Sequence, residues 1–390
     1  MSTIKVNGIR GVGASTDAIS VNNTDGTCTA NITNFPHRNL IINGACNVAQ
    51  YGSSSTTSGY GSVDRWKISF GGTDEAITHA QHALTSSDTG PWAKGFRYSL
   101  HLTNGNQTSG AGAADYIEVD QEIEAQDIVQ SGWDYTSTSS YVTLSFWIRS
   151  SVAQNFYGYL RVNDNTKQLY CIETGSLSAD TWTKVTKKIP GAAANNIDND
   201  NGAGILLRLL PFYGTDNTGT RPLNAWAAYD GAARTPDNTS TWYTTNDATF
   251  EITGVQLTVT DYEPDYPHVS YADELARCQR YTWKVYADEG NDDILATGMA
   301  RDTGQSRYVF QHPVEMRANP SITISGSTKA YDGSGWNAFT NSQVVKLYSN
   351  KNRFTIYAES SDTNHTVGRA CWIQQSGSAS TAYFLASAEL

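Results

Sequence analysis

Tyr141-Val142-Thr143-Leu144-Ser145-Phe146-Trp147-Ile148-Arg149 places Val, Leu, Phe and Ile at every second position. Successive side chains of an extended strand point to opposite faces, so this period of two predicts a half-buried β-strand. Further candidate strands run on either side of it: 63–70, 76–82, 96–103, 116–124, 155–162, 182–189, 205–211 and 248–259. Gly, Asn and Ser turns divide them, and no helix-length amphipathic period interrupts the run. Nine strands in this spacing predict one large jelly-roll β-sandwich over residues 39–268.

The flanking regions differ in texture. Residues 1–38 hold short strand-like pieces, Ile4-Lys5-Val6, Ala18-Ile19-Ser20-Val21 and Thr29-Ala30-Asn31-Ile32, each too short to close a core alone. They read as an extended anchor ordered by pairing with another chain or particle. Beyond Pro264 and Pro267, Ser270 is placed to cap a short helix with Asp273 and Glu274 in its first turn and Tyr271, Leu275 and Cys278 along one face. Strand patterns then return at 280–287, 294–300, 307–311, 321–324, 343–347, 353–359 and 383–388, a second, smaller β-sandwich within 269–390. The fold class is therefore all-β: extended anchor, jelly roll, linker helix, second sandwich.

Composition narrows the function. Charged residues make up 17% of the 390 residues, below the roughly 25% of ordinary soluble domains, while Tyr (22) and Trp (10) are abundant. Ser, Thr, Asn and Gly supply a neutral polar surface. The net charge of −11 and the scattered Lys and Arg disfavour nucleic acid as a partner. Membrane insertion is not expected, because no apolar run approaches ~20 residues. The start, Met1 to Asn7, lacks the apolar stretch of a secretory signal. Of five cysteines, the nearest two, Cys28 and Cys46, are 18 residues apart, which fits reduced thiols rather than a disulfide or zinc framework.

Tyr116-Ile117-Glu118-Val119-Asp120-Gln121-Glu122-Ile123-Glu124 carries the sharpest chemical pattern. On a strand, Glu118, Asp120, Glu122 and Glu124 share one face at about 6.5–7 Å intervals. That spacing lies between those of retaining and inverting glycosidases. Glu118 to Glu122 also resembles the E-x-D-x-E signature of the jelly-roll β-glucanase and agarase family, departing from it at Gln121. The plainer alternative is a half-exposed strand with Ile117, Val119 and Ile123 inside. Asn196 to Gly202 resembles a calcium loop, but Gly does not fall sixth and no Glu falls twelfth, so a turn is expected. His37, His79, His82, His101, His268, His312 and His365 show no metal-ligand spacing, and neither metal nor cofactor is expected.

Aromatic residues within polar connections point to a ligand instead. Trp226, Tyr229, Trp242 and Tyr243 lie in the long connection 212–247, and Trp133 in another. A pyranose packs its C–H face on such rings while Asn, Asp and Thr bond its hydroxyls. These five are the candidate glycan-binding residues, and the pair Trp226→Ala with Trp242→Ala is expected to weaken binding without loss of fold. The competing role is stapling long loops onto the sandwich. Tyr331, Trp336 and Trp372 are further candidates in the C-terminal part.

Asn39-Leu40-Ile41-Ile42-Asn43-Gly44, then Val48 to Gly52 and Gly59-Tyr60-Gly61-Ser62-Val63-Asp64-Arg65-Trp66, resemble the opening of bacteriophage tail-fibre or virion appendage proteins. Many of these carry a carbohydrate-binding-module-like jelly roll. Gln121 and Glu124 with Tyr141–Ile148, Phe250 to Leu257, Asp261 to Pro264, and Glu274 to Tyr281 extend the resemblance over residues 1–320. It implies a non-enzymatic virion protein made in the host cytoplasm. More closely, it implies a homotrimeric tail fibre or receptor-binding protein that docks to another virion protein through 1–38 and meets host-surface glycan distally. Two alternatives stand beside it: a capsid decoration or head-appendage protein, and a glycan depolymerase using Glu118, Asp120 and Glu122. Asp64, Arg65 and Trp66 read as structural, with Arg65 paired and Trp66 buried, and Gly44 and Gly254 as tight backbone positions.

Overall fold

A computed structural model describes residues 8–9, 19–21, 24, 28–30, 38–287, 293–339, 343–376 and 382–390. The chain is all-β. The expected anchor lies largely outside the described residues; within it, Gly8–Ile9, Ile19–Val21 and Cys28–Ala30 pair as a small antiparallel sheet.

Two six-stranded sheets form the jelly roll. The first runs in the order Trp226–Ala228, Gln168–Ser176, Asn155–Val162, Ala203–Tyr213, Tyr116–Glu124, Lys67–Gly71. The second runs Thr183–Pro190, Tyr141–Ser150, Thr249–Thr258, Tyr98–Thr103, Thr78–Ala83, Ser54–Ser55. Tyr141–Ser150 is an inner strand of the second sheet, paired on both sides. Its Val142, Leu144, Phe146 and Ile148 enter the core between the sheets, with Ile117, Val119 and Ile123 facing them from the first. Alternation thus fixes which face is buried, since a slip of one residue would turn every apolar side chain to water.

The edge strand Trp226–Ala228 and the strand Gln168–Ser176 fall outside the sequence-predicted set, as does the two-residue strand at Ser54. Gln168–Ser176 buries Leu169, Tyr170, Cys171 and Ile172 in succession, because it has a packed cluster on each face and so lacks a period of two.

Ser270 caps the helix Tyr271–Gln279 as expected, its Oγ accepting from the Asp273 amide at 3.2 Å. Glu274 and Cys278 are the buried positions, whereas Tyr271 points to solvent. The helix seats on the jelly roll through a polar contact, Glu274 Oε1 accepting from the Asn43 amide at 2.6 Å, so its inner face is not purely apolar.

The C-terminal part has its own core, built on a three-stranded sheet (Thr282–Tyr286, Tyr383–Ser387, Ser321–Ser325) and a seven-stranded one. The latter runs Trp336–Phe339, Thr328–Tyr331, Ala370–Gln375, Ile294–Ala300, Gln305–Gln311, Arg353–Glu359, Val344–Ser349. A polar seam joins the sandwiches. Arg65 pairs with Glu389 and its guanidinium lies 3.5 Å over the Tyr281 ring. Glu124 accepts from Arg280 at 2.7 and 2.8 Å and from the Tyr281 hydroxyl at 2.6 Å. Arg317 donates to the carbonyls of Asn201, Ala388 and Glu389.

The described cysteine side chains Cys46, Cys171, Cys278 and Cys371 are buried free thiols, and burial pushes Cys46 and Cys171 up to about 12. No described helix is long and apolar enough to cross a membrane.

Candidate functional site

The five aromatic residues singled out from the sequence have separate fates. Trp133, Trp242 and Tyr243 belong to the jelly-roll core, at most 3% exposed, which corrects their assignment to a binding surface. Each ring plugs a loop into the sandwich and satisfies its polar atom internally. The Trp242 indole N–H donates to the Thr249 carbonyl at 2.8 Å, and that of Trp133 to Ser140 at 3.3 Å. The Tyr243 hydroxyl donates to Asp115 at 2.9 Å while its ring stacks on Phe212 at 4.3 Å. Trp226 is half-buried, edge-on to Tyr170 at 5.4 Å, with its N–H engaged by the Pro190 carbonyl at 2.6 Å. Polar loops this long hold their shape because large rings anchor them.

Tyr229 lines a trough of about 500 Å³ over the outer face of the first sheet. Glu118 and Asp120 lie at its base, and both are tied to one guanidinium. Arg208 donates Nε and Nη2 to the two Asp120 oxygens at 2.6 and 2.5 Å, and Nη1 to Glu118 Oε1 at 2.5 Å. The hydroxyl of Tyr213 also donates to Glu118, and Arg208 Nη1 reaches the Tyr159 hydroxyl at 3.0 Å. Burial raises the Glu118 carboxyl above its ordinary range, against the opposing pull of Arg208. Glu122 is not part of the trough; its backbone carbonyl accepts from Arg65 at the seam. The acidic strand is therefore a charge-paired floor. Sequence alone gave no sign of Arg208, because it reaches the carboxylates across the sheet: Arg208 sits directly opposite Asp120 on the neighbouring strand.

Tyr331, Trp336 and Trp372 come together on the second sandwich. Tyr331 stands directly across from Trp336 on one neighbouring strand and from Trp372 on the other. Ring centroids are 4.6 Å apart for Tyr331 and Trp336, 5.0 Å for Tyr331 and Trp372, and 6.4 Å for Trp336 and Trp372. Alternate residues Ala330, Cys371 and Ile373 fill the core, so the rings take the outer face. Trp336 is 41% exposed. Polar groups border the row: the Lys329 ammonium lies 4.5 Å over Trp336, and Gln374 accepts from the Trp372 indole N–H at 2.8 Å. Trp336 is the exposed ring of the row, with Tyr331 and Trp372 half-buried beside it, and an exposed aromatic side chain backed by two others is a candidate binding surface. The missing sequence signal was strand period: Thr328–Tyr331 and Trp336–Phe339 are only four residues each.

A third concavity, about 770 Å³, lies where the helix meets both sandwiches and is lined by Tyr98, Tyr271, Tyr286, Gln50, Gln279 and Lys284, among others.

No family model matches the chain, and no curated protein matches it. Among solved structures, it is similar to the enzymatically active domain of tailspike protein 4 of bacteriophage CBA120 (12% identity, TM-score 0.30). That alignment covers 57% of this chain and 21% of the tailspike chain, about a fifth of its length. It is also similar to the N-terminal cellulose-binding domain of a Cellulomonas fimi β-1,4-glucanase (12% identity, TM-score 0.26, 55% of this chain and 100% of the other). A tandem domain of two carbohydrate-binding modules from Paenibacillus barcinonensis aligns at 9% identity and TM-score 0.24, over 91% of this chain and 98% of the other.

Proposed function

We propose that this chain is a glycan-binding, non-catalytic component of a virion appendage, and that the aromatic row Tyr331, Trp336 and Trp372 is its sugar platform. The observation that carries the reading is the convergence of these three rings on one exposed face, side by side on three adjacent strands. Stacking on sugar C–H faces needs a ring open to solvent, and Trp336 at 41% exposure offers one. Tyr331 and Trp372 are inclined against it and the mobile Lys329 side chain lies over one face, while Trp133, Trp242 and Tyr243 are enclosed by protein. Lys329 and the polar rim suit hydroxyl groups along the sugar edge. Each such site binds weakly, and a homotrimer would raise overall avidity by presenting three at once. Residues 1–38 would dock the protein on its particle. A polar surface low in charge, carried on β-sandwiches, suits a part exposed to the medium.

The test is binding of the purified chain to polysaccharide from the host surface, with Trp336→Ala and Trp372→Ala compared with the parent. Affinity is expected to fall at least about tenfold, 1.4 kcal/mol, with the thermal midpoint nearly unchanged. Undiminished binding by the double variant would remove the platform from the site. A reducing-sugar assay on the same polysaccharide addresses the depolymerase alternative: no release is expected, and Glu118→Gln is expected to leave the assay unchanged. Labelling the chain on intact particles distinguishes a tail fibre from a head appendage.

A further inference from the structure

On the outer face of the second jelly-roll sheet, three adjacent strands bring His82, His101 and Glu251 together. Glu251 lies directly opposite His101, and His82 is paired with Ser99, two residues before His101 on the same face. One ligand atom from each of the three residues lies within 4.8 Å of the others. Glu251 Oε2 is 3.3 Å from His82 Nδ1 and 3.4 Å from His101 Nδ1.

These separations have a chemical meaning. Charge-assisted hydrogen bonds between imidazolium and carboxylate close to about 2.7–2.9 Å, well short of what is seen here. A tetrahedral zinc ion with N and O ligands at about 2.0–2.1 Å sets its ligand atoms about 3.3–3.4 Å apart, which the two separations from Glu251 match, while the two histidine nitrogens lie within 4.8 Å of each other. The surrounding bonds also fit. His101 Nε2 faces the Thr103 hydroxyl at 3.1 Å, and its Nδ1 is buried without a hydrogen-bond partner. When Nε2 carries the ring proton, the Nδ1 lone pair points at a carboxylate oxygen, an opposition that a cation between them relieves, as a proton on Nδ1 does when the ring is charged. Binding of the second ring nitrogen is the usual device for fixing a metal-ligating histidine.

The carboxylate is oriented as well. Arg149 donates Nε and Nη2 to Glu251 Oε1 at 3.0 and 2.7 Å, and Ser99 Oγ donates to Oε2 at 3.0 Å. Arg149 also donates to Asp88 at 2.7 Å, so one guanidinium serves two carboxylates and leaves one negative charge for a cation. The side chain of His82 is 47% exposed, which gives an entry path and room for water at the remaining position.

We propose that His82 Nδ1, His101 Nδ1 and Glu251 Oε2 form a three-ligand site for a divalent transition ion of the zinc class, completed by water. The mixed N/O donor set suits zinc rather than magnesium or calcium, which take oxygen ligands. The ion would tie three neighbouring strands, and because the site stands on the first sandwich it is independent of the sugar platform.

The experiment uses the full chain after chelator treatment and dialysis, titrated with Zn²⁺ by calorimetry and by thermal unfolding. One ion per chain and a raised midpoint are expected, because a ligand that binds only the folded state stabilises it. His82→Ala, whose side chain is half-exposed, is expected to bind at least tenfold more weakly with the metal-free midpoint little changed, and His101→Ala likewise. Three results would overturn the proposal: no response to Zn²⁺, parental affinity in His82→Ala, or an equal midpoint shift with Mg²⁺.

Discussion

Arg65 and Glu389, 324 residues apart, form a buried ion pair that bridges the two sandwiches. Their side chains are 1% and 5% exposed, and the guanidinium is also stacked on Tyr281. Neither charge could be left alone in that seam without a large desolvation penalty.

Arg65→Ala strands the Glu389 carboxylate and is expected to cost about 3–5 kcal/mol. Replacing both partners, Arg65→Met with Glu389→Leu, is expected to recover most of the loss, since matched apolar side chains carry no such penalty. Urea unfolding of the two variants measures both values, and a single-variant cost below about 1 kcal/mol would contradict the pairing.

Trp242→Ala and Trp336→Ala separate packing from binding. Trp242 is fully buried, and its truncation is expected to cost about 3–5 kcal/mol, so the fold would not survive the substitution unharmed. Trp336 is exposed, and its truncation is expected to change stability by no more than about 0.5 kcal/mol. Denaturation midpoints, read beside glycan binding, check the contrast.

Glu251 confers acid sensitivity. Burial alone would raise its carboxyl, but His101 and Arg149 prevail and bring it down to about 2 from an ordinary value of 4.5. A carboxyl lowered on folding releases its proton more readily in the folded state. Its stabilisation is therefore full above pH 4.5 and is lost as pH falls toward 2. At 1.36 kcal/mol per unit this is about 3 kcal/mol. Glu251→Gln is expected to flatten the acid limb of the stability curve between these values.

Gly254 sits at φ +60° in the Thr249–Thr258 strand, at the register shift where it pairs with Tyr141–Ser150. A Cβ there would come within 2.5 Å of the Phe96 ring. Gly254→Ala combines a left-handed backbone with a rigid clash, and a loss of at least ~1–3 kcal/mol is expected from the conformation alone. Chemical denaturation gives the value, and an unchanged midpoint would mean the ring moves freely aside.

The jelly roll was legible where strands alternate. Tyr116–Glu124, Tyr141–Ser150 and Asn155–Val162 match their predicted limits because apolar residues recur at every second position on the face toward the central core. Gln168–Ser176 escaped because neither of its faces is free of packing, and Ala370–Gln375 because Cys371, Ile373 and the outward Trp372 give no clean polar alternation. The short motifs that carried the family resemblance turn out to meet in space. Asn43 donates to the carbonyls of Val48 and Asp64, the Trp66 indole donates back to Asn43, and Asp64 accepts from Gln50. They read as structure and are structure. The site was harder, since the sequence marks a ring but not its enclosure. Trp242 and Trp336 look alike as letters, and only packing tells the staple from the platform. Likewise His82, His101 and Glu251 have no revealing spacing, because their proximity arises from strand pairing.

The charged seam between the sandwiches bears on how such a protein could diversify. Arg65, Glu124, Arg280, Arg317 and Glu389 require counterparts on the other side. A C-terminal sandwich exchanged from another protein would have to bring matching charges or strand several of them. Recombination at the helix is thereby discouraged, whereas the outer sheet face around Trp336 can vary without disturbing the joint.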